Sequence, residues 1–425
     1  MRLKVSKSRL SGRVIIPGSK SHTIRALAIA SLAEGRSLIH RPLRCSDTLS
    51  AASCYRALGA KIDTSMDQYW AVQGCGGNIS VPTETIDVGN SGTTLRIAAG
   101  SAALAPKGSS IEFTGDDQIK SRPVSELLNS LRDLGADYCS LNGRAPLSVK
   151  GTLTGGRTSI KCPTSQYLSS LLMCCPLAGG DSEIEVTMLN EPGYVRMTLD
   201  WLDAQQIRYE NQDMKHFKIP GGQRYHCFEK SIAADFSSAT FFLCGAVLTG
   251  RELVIEALDF ADSQPDKAVV EYLRKMGAKI SLSGNTVTVS KSSLKGTEID
   301  MNHTPDALPA IAAVAAFSRG QTRLTNVAQA RNKETDRIRC MAEELTKMGV
   351  KTEEMPDGLI IEGGSPVSSA ELDGRSDHRI VMALSLAAMA VEGTSYIDTA
   401  EAVNVTFPEY ITLMHSAGAE IEIIN

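Results

Sequence analysis

Basic side chains recur at one point of a repeating pattern in this 425-residue sequence. Lys20 lies in Pro17-Gly18-Ser19-Lys20-Ser21, at the mouth of an apolar run, and Arg25 follows. Arg96 comes after Asn90-Ser91-Gly92-Thr93, and Arg122 lies in Lys120-Ser121-Arg122-Pro123. Lys333 and Arg337 bracket Glu334 in Lys333-Glu334-Thr335-Asp336-Arg337, and Arg379 ends Ser376-Asp377-His378-Arg379. Most of these segments lead into a helical pattern. A helix start presents unpaired N–H groups and a partial positive charge, so it favours anions. Cations gathered there suit phosphate and carboxylate groups, which Arg grips with two parallel bonds. Taken singly, a basic residue is most often a solvated surface charge. Recurrence at equivalent points is what argues for a binding role. Lys20 is not part of a Walker loop, because the G-x-x-x-x-G-K-[ST] spacing is absent.

Two acids stand among these cations. Asp306 follows Pro305 and opens an apolar run; Glu334 lies between Lys333 and Thr335. The sequence favours an N-cap role for Asp306 and a first-turn carboxylate matched to the helix dipole for Glu334. In a dense field of cations a carboxylate can also act as general acid or base, and paired acids can divide the roles. The sequence is compatible with both roles.

The elements that must position these residues are repeated. Helices end at Leu58-Gly59-Ala60, Leu134-Gly135-Ala136, Met276-Gly277-Ala278, Met348-Gly349-Val350 and Ala417-Gly418-Ala419, with a degenerate copy expected at Leu202-Asp203-Ala204. The period is about 70 to 75 residues, the mark of a repeated supersecondary unit. Each glycine falls where a helix stops in a left-handed residue. Each repeat also carries an earlier Ala-rich helix, capped by Ser, Thr, Asn or Asp and apolar on most sides, hence buried. The repeat reads as strand, buried helix, strand, outer helix and two strands. Six such repeats do not fit one doubly wound sheet. They are expected as two groups of three, joined near residues 218–235.

Composition narrows the function. A net charge of −4 shows no basic excess of the nucleic-acid-binding kind. The longest apolar stretches are about half the ~20 residues that span a membrane, and the N-terminus alternates like a strand rather than a signal peptide. Ten cysteines without a C-x-x-C are expected as reduced core residues in a cytoplasmic protein. His and Cys do not cluster at ligand spacing, so no metal is expected.

With these motifs in order, the chain resembles the EPSP synthase (3-phosphoshikimate 1-carboxyvinyltransferase) family of enolpyruvyl transferases. The resemblance rests on Pro17–Ser21 with Arg25, Gly89–Arg96, Lys120–Pro123, Lys333–Arg337 and Asp377–Arg379. It implies an α/β fold of two domains, each an inverted α/β barrel of three βαβαββ units. Residues 1–17 plus 232–425 would form one domain and 18–231 the other, with the active site in the cleft between them. It implies transfer of the enolpyruvyl group of phosphoenolpyruvate to the 5-hydroxyl of shikimate 3-phosphate, with release of phosphate and no cofactor, by a monomer. Lys20, Asp306 and Glu334 would handle protons. Lys20, Asn90, Gly92, Arg122, Gln166, Arg337 and Arg379 would hold phosphoenolpyruvate. Lys20, Ser21, Arg25, Thr164, Ser165, Gln166, Tyr194, Asp306, Gln329 and Lys333 would hold shikimate 3-phosphate.

Several positions depart from the family pattern. Val405 stands where a lysine is common, Gln118 where many members have arginine, and Gln329 replaces a common asparagine. The stretch Asn190-Glu191-Pro192-Gly193-Tyr194 lacks the usual serine. The sister UDP-N-acetylglucosamine enolpyruvyl transferase usually carries a Cys in the loop before Arg122-Pro123, and this loop has none. A catalytically silent anion-binding protein on the same scaffold is the rival from another class.

Overall fold

A computed structural model describes residues 1–424 as a mixed α/β protein. The chain divides into two compact units, Met1–Pro17 with Ala233–Asn425, and Gly18–Ile232. Each has its own apolar core. Ile232 belongs with the second unit, one residue past the boundary expected from the sequence. Its amide donates to the His40 carbonyl at 2.9 Å.

Each unit contains three four-stranded sheets. In Gly18–Ile232 one sheet runs Ile86–Asp87, Ser110–Thr114, Arg144–Lys150, Asp137–Leu141. The first pair is parallel and the others antiparallel. A parallel pair needs a crossover, and here the helix Gly92–Ala102 supplies it. The same plan joins Gly156–Cys162 to Ser182–Leu189 through Ser165–Cys174. It also joins Glu298–Asp300 to Gly320–Thr325 through Leu308–Ala316.

Three sheets obey the plan with borrowed strands. Arg36–His40, which follows the helix Lys20–Leu32, takes its parallel neighbour from Glu229–Ser231, far along the chain. In the other unit, Arg2–Ser6 lies between Thr394–Asp398 and Ile421–Ile424. Gly12–Ile15 pairs with Leu253–Glu256. The repeat therefore takes a strand from elsewhere in the chain at three points. Sequence periodicity marks the units but not which strand completes them.

The crossover helices are buried on all sides, as their composition requires. Every residue of Phe236–Thr249 and of Leu308–Ala316 is buried. Small residues let them approach closely. A Cβ on Gly100 would meet Ser170 Oγ at 2.4 Å, and that hydroxyl donates to the Arg96 carbonyl. The outer helices are one-sided: Ser125–Asp133 buries Leu127, Leu128 and Leu131 and exposes its charged face.

All six outer helices end alike. The amides of Ala60, Ala136, Ile207, Ala278, Val350 and Ala419 each donate to the carbonyl five residues back, closing a Schellman turn. The residue before each is left-handed, with φ between 92° and 109° at the five glycines. In the third repeat that residue is Gln206, φ 56°, so the turn lies at Gln205-Gln206-Ile207 and not at Leu202-Asp203-Ala204. Without glycine at the left-handed position the turn has no sequence mark.

The cysteines are all unpaired, and seven are buried. Cys139 and Cys227 are exposed and Cys75 is half-buried, so these three are not core residues. No helix among the described residues is long and apolar enough to cross a membrane.

Candidate active site

In the unit Gly18–Ile232 the three crossover helices bring their N-terminal residues into one hydrogen-bonded group. Ser19, Ser91 and Thr164 cap them through their hydroxyls. The Arg96 guanidinium, on the second turn of its helix, donates to Gln166 Oε1 at 2.7 Å. Gln166 Nε2 donates to Thr93 at 3.1 Å. Gly92 leaves room for two cations: a Cβ there would lie 2.6 Å from Arg96 Nη1 and 2.8 Å from Arg122 Nη1. Asn90 donates to Asp116 and to Gln118 Oε1, so the residue standing for a common arginine helps to fix the loop.

Arg25 is almost wholly enclosed, and every one of its bonds goes to a neutral acceptor. Nε donates to Thr198 Oγ1, Nη1 to the Ser21 carbonyl, and Nη2 to Ser169 Oγ and the Tyr194 carbonyl. Burial pulls its pKa down to about 10, which leaves it charged at neutral pH. Arg96 is similar: its guanidinium donates to Gln166 and the Pro123 carbonyl, and its Nε has no hydrogen-bond partner. A buried cation with only neutral partners has its desolvation uncompensated and gains most from an anion. Lys20 Nζ meets Asp47 Oδ2 at 3.0 Å, an acid that the sequence did not single out.

The other unit holds a different arrangement. Arg337, 1% exposed, is the hub. Its Nε donates to Asp377 Oδ2 at 2.8 Å, its Nη1 to Asp306 Oδ1 at 2.8 Å and its Nη2 to Glu334 Oε2 at 2.5 Å. Arg379 Nη2 reaches Asp306 Oδ2 at 3.2 Å and Lys333 Nζ reaches Asp306 Oδ1 at 3.6 Å. Burial works to raise the Asp306 carboxyl, but Arg379, Lys333 and Arg337 overcome it and hold it far below the usual carboxylate range. Three cations here face three carboxylates, whereas Arg25 and Arg96 have no acid among their bonded partners.

These contacts revise two readings. Asp306 is not an N-cap: residues Pro305–Ala307 form a 3₁₀ turn, and the helix begins at Leu308 with no side-chain cap. Glu334 is not in a first helical turn, because Asp336 caps the helix that starts at Arg337. Gln329 stands apart from the cluster and donates to the Asn302 carbonyl. Val405 is half-buried at the end of a 3₁₀ segment.

The sequence reading missed two further acids. Asp377 had registered only as a helix start. It does cap that helix, donating nothing and accepting from the Arg379 amide at 2.9 Å, but its carboxylate also grips Arg337. Glu191 lies in the stretch Asn190–Tyr194, which stands out in the sequence only for lacking the usual serine. Its Oε2 accepts from Thr164 Oγ1, from the Ser165 amide and from Ser165 Oγ.

An α/β protein whose enclosed cations surround fixed carboxylates is built to hold small, highly anionic substrates while protons move. Comparison with known proteins narrows that class. The family model of EPSP synthase (3-phosphoshikimate 1-carboxyvinyltransferase) matches residues 5–414. A protein of Acetivibrio thermocellus named 3-phosphoshikimate 1-carboxyvinyltransferase is 53% identical over 99% of both chains. One of the same name from Ruminiclostridium cellulolyticum is 49% identical over the full length of both. The solved EPSP synthase of Acinetobacter baumannii covers all of this chain and all of its own, with a TM-score of 0.83 at 27% identity. The chain belongs to the EPSP synthase family.

Proposed function

We propose that the protein transfers the enolpyruvyl group of phosphoenolpyruvate to the 5-hydroxyl of shikimate 3-phosphate and releases phosphate. The observation that carries the reading is the pair of enclosed guanidiniums, Arg25 and Arg96, bonded only to neutral acceptors at the helix starts of one unit. Such cations are preformed anion seats. Family membership supplies the identity of the anions. The fold is read as two inverted α/β barrels of three repeats each.

Shikimate 3-phosphate is assigned to Lys20, Ser21, Arg25, Thr164, Ser165, Gln166 and Tyr194, with Asp306, Gln329 and Lys333 from the other unit. Phosphoenolpyruvate is assigned to Lys20, Asn90, Gly92, Arg122, Gln166, Arg337 and Arg379. In the addition step the 5-hydroxyl gives up its proton, its oxygen bonds to C2 of phosphoenolpyruvate, and C3 takes a proton as the C2=C3 double bond opens. In the elimination the C2–O bond to phosphate breaks, and the new methyl group returns a proton to restore the methylene.

Lys20, Asp306 and Glu334 are assigned to the proton steps. Asp306, held ionised by three cations, is fitted to accept a proton rather than to donate one. A carboxylate held so low is also a weak base. Substrate anions that draw Arg379 and Lys333 toward themselves would weaken that hold and raise its basicity. The ten unpaired cysteines support a reducing compartment, and the reaction is placed in the cytoplasm.

The test is phosphate release with phosphoenolpyruvate and either shikimate 3-phosphate or UDP-N-acetylglucosamine. Turnover with the first acceptor and none with the second is expected. Turnover only with the nucleotide sugar, or binding without phosphate release, would overturn the reading.

A further inference from the structure

Glu191 introduces a negative charge where the chain otherwise offers donors. The residue is 2% exposed. Glu191 stands at the N-cap of the helix Pro192–Ala204 but does not cap it. Oε2 instead takes the Ser165 Oγ donor at 2.8 Å, the Ser165 amide at 3.2 Å and the Thr164 Oγ1 donor at 3.2 Å. An amide and two hydroxyls converging on one oxygen, at the start of a ten-residue helix, form an oxyanion seat. The backbone is committed to this placement: Glu191 is left-handed, with φ 58°, and Pro192 fixes the next residue. Three residues on, the Tyr194 carbonyl receives Arg25 Nη2, which carries the enclosed positive charge to the same helix start.

We propose that Glu191 is a specificity-determining residue, an internal carboxylate that fills the phosphate seat on Thr164 and Ser165 and yields it only to a phosphoryl group. The inference rests on the assignment of Thr164 and Ser165 to shikimate 3-phosphate and takes its phosphate to be the group they hold. A phosphoryl group brings two charges and three acceptor oxygens to donors that the carboxylate serves with one oxygen. The two anions cannot share the seat, because like charges at contact repel. The same ring without its phosphate leaves Glu191 where it is and feels no such competition. The carboxylate therefore lowers affinity for the true substrate and keeps the seat closed to weaker anions.

The test is calorimetric titration of the full chain and of the Glu191→Gln and Glu191→Asn variants. The ligands are shikimate 3-phosphate, inorganic phosphate and unphosphorylated shikimate. Gln keeps the length and an acceptor oxygen without the charge. Asn withdraws the group and tolerates the left-handed backbone. Removing one competing charged contact is expected to tighten shikimate 3-phosphate by at least about tenfold. Inorganic phosphate should tighten in parallel and shikimate should not change. Equal or weaker binding of both phosphate ligands in both variants would overturn the proposal, as would loss of the fold in both, since the carboxylate would then be a structural strut. Tighter phosphate binding in a chain that never turns over shikimate 3-phosphate would leave the seat intact and sink the functional reading instead.

Discussion

The substitution Asp377→Asn separates two jobs held by one side chain. The carboxylate caps the helix His378–Met389 and binds Arg337 through two oxygens, at 2.8 Å and 3.2 Å. Both partners are nearly inaccessible, at 1% and 0% exposure. Asn is as good an N-cap as Asp, so the cap survives and only the charge is lost. Two unit charges about 4 Å apart interact by about 4 kcal/mol at an effective dielectric of 20. Breaking a buried pair from one side costs roughly 3–5 kcal/mol. Arg337 keeps Asp306 and Glu334, and the amide oxygen still accepts a bond, so the expected loss is about 2–3 kcal/mol. Urea unfolding followed by circular dichroism measures it. Tryptophan fluorescence locates it, because Trp70 and Trp201 both lie in the Gly18–Ile232 unit. A loss below about 0.5 kcal/mol would refute the reasoning and show Asp377 to be a cap alone, worth typically about 1 kcal/mol on mutation to Ala.

Gly92→Ala should disturb binding more than folding, because the added Cβ meets only the flexible ends of Arg96 and Arg122. A rise of about tenfold in the KM for phosphoenolpyruvate, with less change in kcat, is expected from steady-state kinetics. Glu334→Gln should lower kcat by roughly 10² to 10⁴ while substrate binding holds; near-normal turnover would leave Glu334 only a partner of Arg337. Burial first, then Arg379 and Arg337, outweigh the pull of Asp377 and Glu334 and push His378 down to about 3. Below its ordinary value near 6.5 the unfolded chain takes a proton that the folded chain refuses, so stability falls by about 1.4 kcal/mol per unit from there toward pH 3. His378→Gln should flatten that slope, and equal losses in variant and parent between pH 7 and pH 5 would contradict it.

Much of this was legible in the residues, for local reasons. Five helix ends were visible because only glycine takes the left-handed turn cheaply; the sixth was misplaced because Gln206 adopts it. The cations were visible because they recur in register. What could not be read was which acid meets which cation. Asp306 and Asp377 are far apart in sequence yet share Arg337, and capping chemistry explained both well enough locally to hide that contact. Glu191 was masked in the same way, by comparison with a serine rather than by what a carboxylate beside Ser165 must do.

The borrowed strands impose an order on synthesis. Residues 2–6 are made long before their ladder partners, residues 394–398 and 421–424. At roughly 5–20 residues per second this strand waits roughly 20 to 80 s with its edges open. In the Gly18–Ile232 unit the wait is about half as long, roughly 10 to 40 s, because Arg36–His40 finds its parallel neighbour Glu229–Ser231 within the same unit. Ribosome-stalled chains of about 300 residues, probed by brief proteolysis, should therefore protect residues 18–232 and leave the first strand cleavable. Early protection of residues 2–6 would mean that something other than their native partners shields them. Until residues 394–398 and 421–424 are made, the alternating Leu3 and Val5 are exposed to other nascent chains, so the strand Arg2–Ser6 is where crowded ribosomes would be expected to cause misassembly.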